Sequence, residues 1–102
     1  MKRKIKFVVM TFQWFDKYAG NSYSSSQIVR CRDGATIHCP YELGWDSYSR
    51  QVALRAMAAA KWLPVAFRGR EESMSYERLN NYPILWHRAQ GTKAECKAHG
   101  QA

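Results

Sequence analysis

The pattern of apolar and polar residues predicts a strand-rich first third of the chain. Residues 4–14 are rich in β-branched and aromatic residues and contain no Gly or Pro, which is typical of a strand. Residues 22–32 and 35–39 have a similar character, and turn-forming residues separate the three segments. Consecutive strands joined by short turns predict a three-stranded antiparallel meander.

The second connection carries the strongest hairpin signal in the chain. Asp33-Gly34 between two strand-like segments predicts a two-residue turn. Such a turn places Cys31 opposite Thr36 in the neighbouring strand. Pro40 is expected to end the third strand, because proline cannot donate to the hydrogen-bond ladder.

The remainder of the chain is expected to be mainly helical. A long helix is predicted over about 46–63, followed by Pro64, and residues 71–80 fit either a short helix or an ordered loop. A fourth strand is expected at about 83–89 and a short C-terminal helix at 93–99. At helical spacing, one stripe of the long helix is expected to lie on the sheet: Tyr48, Val52, Ala56, Ala59 and Leu63.

These elements predict an α+β fold in a single domain, residues 1–102. A three-stranded sheet is not stable alone in water, so the long helix should cover one of its faces. Hydrophobic residues make up 46% of the chain and charged residues 24%, which is ordinary for a folded protein. No apolar segment approaches the ~20 residues needed to cross a bilayer, so no membrane association is expected.

The chain is strongly basic, with a formal net charge of +8, and residues 1–30 alone carry +5. A protein with this excess of positive charge attracts polyanions and acidic proteins. Three cysteines are a poor disulfide framework and favour a reducing compartment. The apolar segment after the N-terminal lysines is too short for a signal peptide. A cytoplasmic protein is therefore expected.

Basic and aromatic residues occur together around the first hairpin. Nucleobases stack on aromatic rings while Lys and Arg hold phosphates, so this combination favours nucleic-acid binding. An alternative is that the rings form the core and that the lysines only protect an edge strand from aggregation. The candidate nucleic-acid-binding residues are Lys4, Lys6, Trp14, Phe15, Lys17, Tyr18, Arg30 and Arg32.

The long helix offers a second candidate surface, on the side opposite the predicted stripe. Leu54 and Met57 lie there with Arg50 and Lys61, and an apolar pair flanked by cations suits an acidic protein partner. The alternative is that Leu54 and Met57 are buried under the C-terminal segment. The partner expected from composition is thus nucleic acid or an acidic protein.

Cysteine and histidine residues raise a third hypothesis, a small zinc-binding domain. The predicted hairpin directs Cys31 and His38 to one face and Cys39 to the other, so a site would need Cys31, His38, Cys96 and His99. Free cysteine is more often a small buried hydrophobe, and no cofactor is expected. No nucleophile elbow, acid–base pair or phosphate-binding glycine loop is evident, so the pattern does not indicate an enzyme.

Several segments together carry a resemblance to known sequences, including Trp14-Phe15-Asp16-Lys17, Gly20-Asn21-Ser22-Tyr23 and the ending Cys96-Lys97-Ala98-His99-Gly100. The chain resembles small proteins of bacteriophages and environmental viral sequences that have no known activity. The resemblance implies a viral accessory protein in the host cytoplasm. Such proteins include nucleic-acid-binding factors and anti-CRISPR-like inhibitors of host nucleoprotein defence complexes, an analogy that assigns no residue a role.

Overall fold

The computed structural model describes residues 4–43 and 46–101, without the side chains of 43, 46–48 and 70–73. Within those ranges the α+β class is confirmed, with a mixed four-stranded sheet and three α-helices. The elements in chain order are β1 (Phe7–Asp16), β2 (Asn21–Arg30), β3 (Thr36–Leu43), α1 (Asp46–Ala59), a 3-10 turn (Val65–Phe67), α2 (Arg70–Leu79), β4 (Ile84–Gln90) and α3 (Lys93–His99).

The sheet has the strand order β3-β2-β1-β4. The first three strands are antiparallel neighbours, as predicted, but β4 joins the far side of β1 and runs parallel to it. The sheet is therefore not a simple meander. Parallel pairing requires a crossover connection, and the α1–α2 segment supplies it by carrying the chain from one edge of the sheet to the other.

The predicted two-residue turn at Asp33-Gly34 is wrong. β2 ends at Arg30, and the Arg30 amide donates to the Ala35 carbonyl across a longer turn. Asp33 holds this turn, because its Oδ1 accepts from the Ala35 amide at 3.1 Å, and Gly34 adopts the left-handed backbone with φ 75°. Thr36 consequently lies opposite Val29 instead of Cys31. The register shifts by two residues, so every side chain keeps its predicted face.

Pro40 does not end the third strand, since β3 continues to Leu43. The β2–β3 register is irregular between Ser24 and Ser26, opposite Pro40. An edge strand tolerates proline at such a bulge, where its missing N–H leaves no partner unpaired.

Helix α1 ends at Ala59, so it is shorter than the predicted 46–63. The Lys61 amide donates to the Ala58 carbonyl at 3.0 Å and the Trp62 amide to the Met57 carbonyl at 2.9 Å. Lys61 itself adopts a left-handed conformation with φ 62°. This is a Schellman C-cap, and it turns the chain away from the helix axis before Pro64.

The core lies between the sheet and the helices α1 and α2. The buried residues are Phe7, Val9, Ile28, Cys39 and Ile84 from the sheet, with Ala53, Leu54, Met57, Ala58, Leu63 and Tyr76. The predicted stripe of α1 is therefore only partly correct: Leu63 is buried, Val52 and Ala56 are partly buried, Ala59 is exposed and the Tyr48 side chain is outside the described residues. The helix is apolar on two sides, and its more buried side includes Leu54 and Met57.

Helix α3 covers part of the opposite face of the sheet, and its predicted bounds are confirmed. Thr92 and Glu95 form a capping box at its start. Cys96 is fully buried, and the Ser25 hydroxyl donates to its carbonyl. The two sheet faces are thus covered by different helices.

Candidate functional site

A groove of about 670 Å³ opens at the end of the sheet where β1 begins. It is lined by the start of β1, by the end of β2 with the β2–β3 turn, and by the chain that follows α1, and Tyr76 of α2 also lines it. None of the described residues that line it is acidic. Concentrated positive charge in a concave surface attracts polyanions. Six cationic side chains line the groove: Lys4, Lys6, Arg30, Arg32, Lys61 and Arg68.

The β1–β2 pairing explains why four of the predicted nucleic-acid-binding residues meet in this groove. Phe7 pairs with Arg30, and the Cys31 amide donates to the Lys6 carbonyl at 2.9 Å. The start of β1 and the end of β2 are therefore adjacent. As a result Lys4, Lys6, Arg30 and Arg32 share one surface.

The other four predicted residues lie at the opposite end of β1. From Lys6 to Trp14 the strand rises about 26 Å. The single basic and aromatic surface expected from the sequence is thus divided in two. Phe15 and Tyr18 are exposed at the β1–β2 turn, by 60% and 96%, and Lys17 is exposed beside them.

Trp14 belongs to a row of rings that crosses three strands. Its ring centroid lies 5.7 Å from that of Tyr23, which in turn stacks on Tyr41 at 5.1 Å. Lys93 and Lys97 of α3 lie over Trp14 and Tyr41, at 5.6 and 5.4 Å. Cross-strand aromatic pairs of this kind stabilise a sheet, so Trp14 has a structural role here.

Sequence reasoning did not assign Lys61, Trp62 and Arg68 to the nucleic-acid surface. Lys61 and Trp62 form the Schellman cap of α1, where the helix was expected to continue, and Arg68 follows that cap. Arg68 is held there because its Nε donates to the Leu63 carbonyl at 3.0 Å. The available signal was the Lys61-Trp62 pair just before Pro64, a cation beside a large ring at a helix end.

Lys61 has a left-handed backbone conformation that favours glycine, so lysine is not the residue that best stabilises the fold at this position. A lysine there supports a role of its side chain in the groove. Lys61→Gly is expected to raise the free energy of unfolding by about 0.5–1 kcal/mol, because glycine adopts the left-handed conformation without steric cost. Urea unfolding measures the shift. Destabilisation of the variant would show that the lysine side chain supports the fold instead.

Arg30 is the most constrained cation of the groove. Its Nε and Nη2 donate to the two carboxylate oxygens of Asp33 at 3.0 and 2.7 Å. Its Cζ lies 4.6 Å from the centre of the Trp62 ring, and Trp62 stacks on Phe7 at 5.9 Å with an angle of 12° between the rings. The Arg30 hydrogen bonds, followed by the bond from the Ala35 amide, lower the pKa of Asp33 to about 2.

The predicted protein-binding surface on α1 is not formed. Leu54 and Met57 are 1% and 0% exposed, because they belong to the hydrophobic core. Lys61 belongs to the groove. Arg50 lies over the Trp86 ring at 4.9 Å, in a separate recess of about 400 Å³. The four residues proposed for an acidic partner therefore do not share an apolar surface.

The four candidate zinc ligands are also separated. Cys31 is exposed in the β2–β3 turn and His38 lies on β3, opposite Gln27. Cys96 is buried where α3 packs on the sheet, and His99 Nε2 lies 2.8 Å from the Met10 carbonyl oxygen. Within the described ranges no group of three or more His, Cys, Asp or Glu residues is placed to hold a metal ion.

The cysteines differ sharply in environment. Burial is the main cause that raises the pKa of Cys39, to about 11, and it also raises the pKa of Cys96, whereas Cys31 is exposed. Because the thiolate is the reactive form, we expect a neutral maleimide at neutral pH to modify only Cys31 rapidly in the native protein. Mass spectrometry counts the adducts. Rapid modification of a second thiol before denaturation would contradict the burial of Cys39 and Cys96.

Comparisons of the chain with protein-family models, curated proteins and solved structures find no match. No helix in the described part of the chain is long and apolar enough to cross a membrane.

Proposed function

We propose that the protein is a non-enzymatic nucleic-acid-binding protein and that the groove at the start of β1 is its binding site. The observation that carries the proposal is the convergence of six cations from three separate segments on one concave surface. Phosphates of a nucleic-acid backbone are the polyanion that such a surface suits, because their neutralisation releases bound counterions.

The salt dependence of binding tests this proposal. Each phosphate contact to a single strand makes the slope of log K against log salt more negative by about 0.7. Arg30 is paired with Asp33, so the other five cations of the groove predict a slope near about −3.5. Raising the salt from 50 to 200 mM should then weaken binding by about 100-fold or more. Fluorescence anisotropy with a labelled oligonucleotide of about twelve residues gives the affinities. An affinity that does not change with salt would reject the proposal.

Asp33 should limit the affinity, because its carboxylate neutralises Arg30. Asp33→Asn removes the charge but keeps an oxygen that can accept from the Ala35 amide. We expect binding about 2- to 8-fold tighter at 50 mM salt, as one more cation is available. Anisotropy measures the gain, and weaker binding by a folded variant would contradict this effect.

In the wild-type protein, protonation of Asp33 near neutral pH should not produce the tighter oligonucleotide binding expected for Asp33→Asn. The lowered pKa of Asp33 means that the stabilisation of the turn by the charged carboxylate is fully present above the ordinary pKa of 3.8. It is lost only as the pH falls through about 2. Between pH 5 and pH 8, protonation of Asp33 should therefore cause no change in the affinity for the oligonucleotide.

The resemblance to bacteriophage and environmental viral proteins supports the further proposal that this is a viral accessory protein acting in the cytoplasm of a host cell. It also supports a second candidate function, an anti-CRISPR-like inhibitor that binds a host nucleoprotein defence complex. The exposed Phe15 and Tyr18 favour this candidate, since large exposed rings often mark protein contacts.

A pull-down from nuclease-treated bacterial lysate separates the two functions. An inhibitor should retain one host protein in a stoichiometric complex, and Phe15→Ala with Tyr18→Ala should abolish that complex while leaving oligonucleotide binding unchanged. Loss of oligonucleotide binding in the same double variant would place the nucleic-acid surface at the β1–β2 turn.

A further inference from the structure

Phe7, Trp62 and Arg30 form one stacked assembly in the groove, called here the Trp62 plate. Trp62 lies nearly parallel to Phe7, with 5.9 Å between ring centroids, and the Arg30 guanidinium carbon is 4.6 Å from the Trp62 centre. Phe7 is 4% exposed and packs in the core, so it anchors the assembly from below.

The plate is held in place from several directions. The Asp33 carboxylate fixes the guanidinium of Arg30 through two hydrogen bonds. The Trp62 amide is fixed by the C-cap of α1. Trp62 and the Arg30 side chain nevertheless remain partly exposed, the latter by 22%, and both line the groove. The plate is therefore held in a fixed arrangement, and its two partly exposed members, Trp62 and Arg30, line the groove where a ligand can reach them.

We propose that the Trp62 plate stacks an unpaired nucleobase, which makes single-stranded nucleic acid the ligand class of the groove; this inference rests on the proposed function. Indole rings and guanidinium planes are the groups on which proteins stack bases. A paired base inside a duplex has both faces covered by its neighbours, so only an unpaired base presents a free face. The cations of the groove that flank the plate hold the adjoining phosphates: Lys6, Arg32, Lys61 and Arg68.

The first test compares two oligonucleotides that carry the same phosphates. One is a thymidine oligonucleotide of about eight residues, and the other has the same backbone with every base removed. We expect wild-type protein to bind the thymidine strand about 5- to 100-fold more tightly, the effect of one stacked base. Equal affinity for the two strands would overturn the stacking proposal and leave the proposed function intact. Binding of neither strand at low salt would overturn the proposed function itself.

The second test locates the base by substitution. Trp62→Leu keeps an apolar side chain but removes the plane, so the variant should bind the two strands equally. Trp14→Leu is the matched control at the far end of β1, and it should keep the full preference for the thymidine strand. A preference lost in Trp14→Leu and kept in Trp62→Leu would overturn the assignment to the plate.

A charge-conserving pair of variants covers the case in which Trp62→Leu does not fold. Arg30→Lys keeps the positive charge but removes the guanidinium plane, and we expect it to reduce the preference for the thymidine strand severalfold. Arg78→Lys makes the same change at an exposed residue of α2 outside the groove and should leave the preference unchanged. An undiminished preference in folded Arg30→Lys would contradict the plate.

Discussion

Replacing Lys4, Lys6 and Lys61 together by Gln is expected to lower the affinity for a single-stranded oligonucleotide about 100-fold at 50 mM salt. The three lysines line the groove and are exposed. Removal of three phosphate contacts should also make the negative slope of log K against log salt shallower by about 2. Fluorescence anisotropy over a range of salt concentrations gives both quantities.

The matched control removes the same charge outside the groove. Lys17, Lys93 and Lys97 are exposed and lie near the opposite end of β1 or on α3. Their triple replacement by Gln should leave the affinity within a few-fold of the wild-type value, since screening weakens distant charges. A large loss of affinity in this control, together with normal binding by the groove variant, would show that the binding site lies at the Trp14 end of the sheet.

Met57→Ala is expected to destabilise the protein by about 2–5 kcal/mol, the range found when a large buried side chain is truncated. Met57 is 0% exposed and belongs to the hydrophobic core. That loss is a large fraction of the stability of a small domain. Chemical denaturation with urea measures it as a shift in the unfolding midpoint.

Met74→Ala is the control, because the same truncation at a side chain that is 44% exposed should change the stability by less than about 0.5 kcal/mol. If Met57→Ala were equally mild, Met57 would be on the surface, as the hypothesis of a protein-binding helix requires. The stability changes of the two variants thus show whether the side of α1 that carries Met57 is part of the core or an exposed docking surface.

The sequence identified the strands well because their β-branched and aromatic residues are concentrated in short segments. It did not indicate the partner of β4, since alternation along one strand carries no information about its neighbour. The choice of helix face also failed in part. Helix α1 contains many alanines, which fit either a buried or an exposed position, so the stripe through Val52 and the side with Leu54 and Met57 both appear apolar.

The candidate site was predictable only where one hairpin builds it. Lys4, Lys6, Arg30 and Arg32 are adjacent because β1 and β2 pair, and the hairpin pattern implies that proximity. Lys61, Trp62 and Arg68 arrive from a different element after the turn of the chain at Lys61. Their position depends on how α1 ends and packs, a tertiary property that the local pattern does not encode.

The reaction rate of the Cys31 thiol with a neutral maleimide tests the central claim most directly. Cys31 lines the groove and is the exposed cysteine, so it reports on this surface without any substitution. A saturating single-stranded oligonucleotide at low salt should slow its modification severalfold, and added salt should restore the rate as the strand dissociates. An unchanged rate while the oligonucleotide is bound would show that nucleic acid occupies another part of the protein.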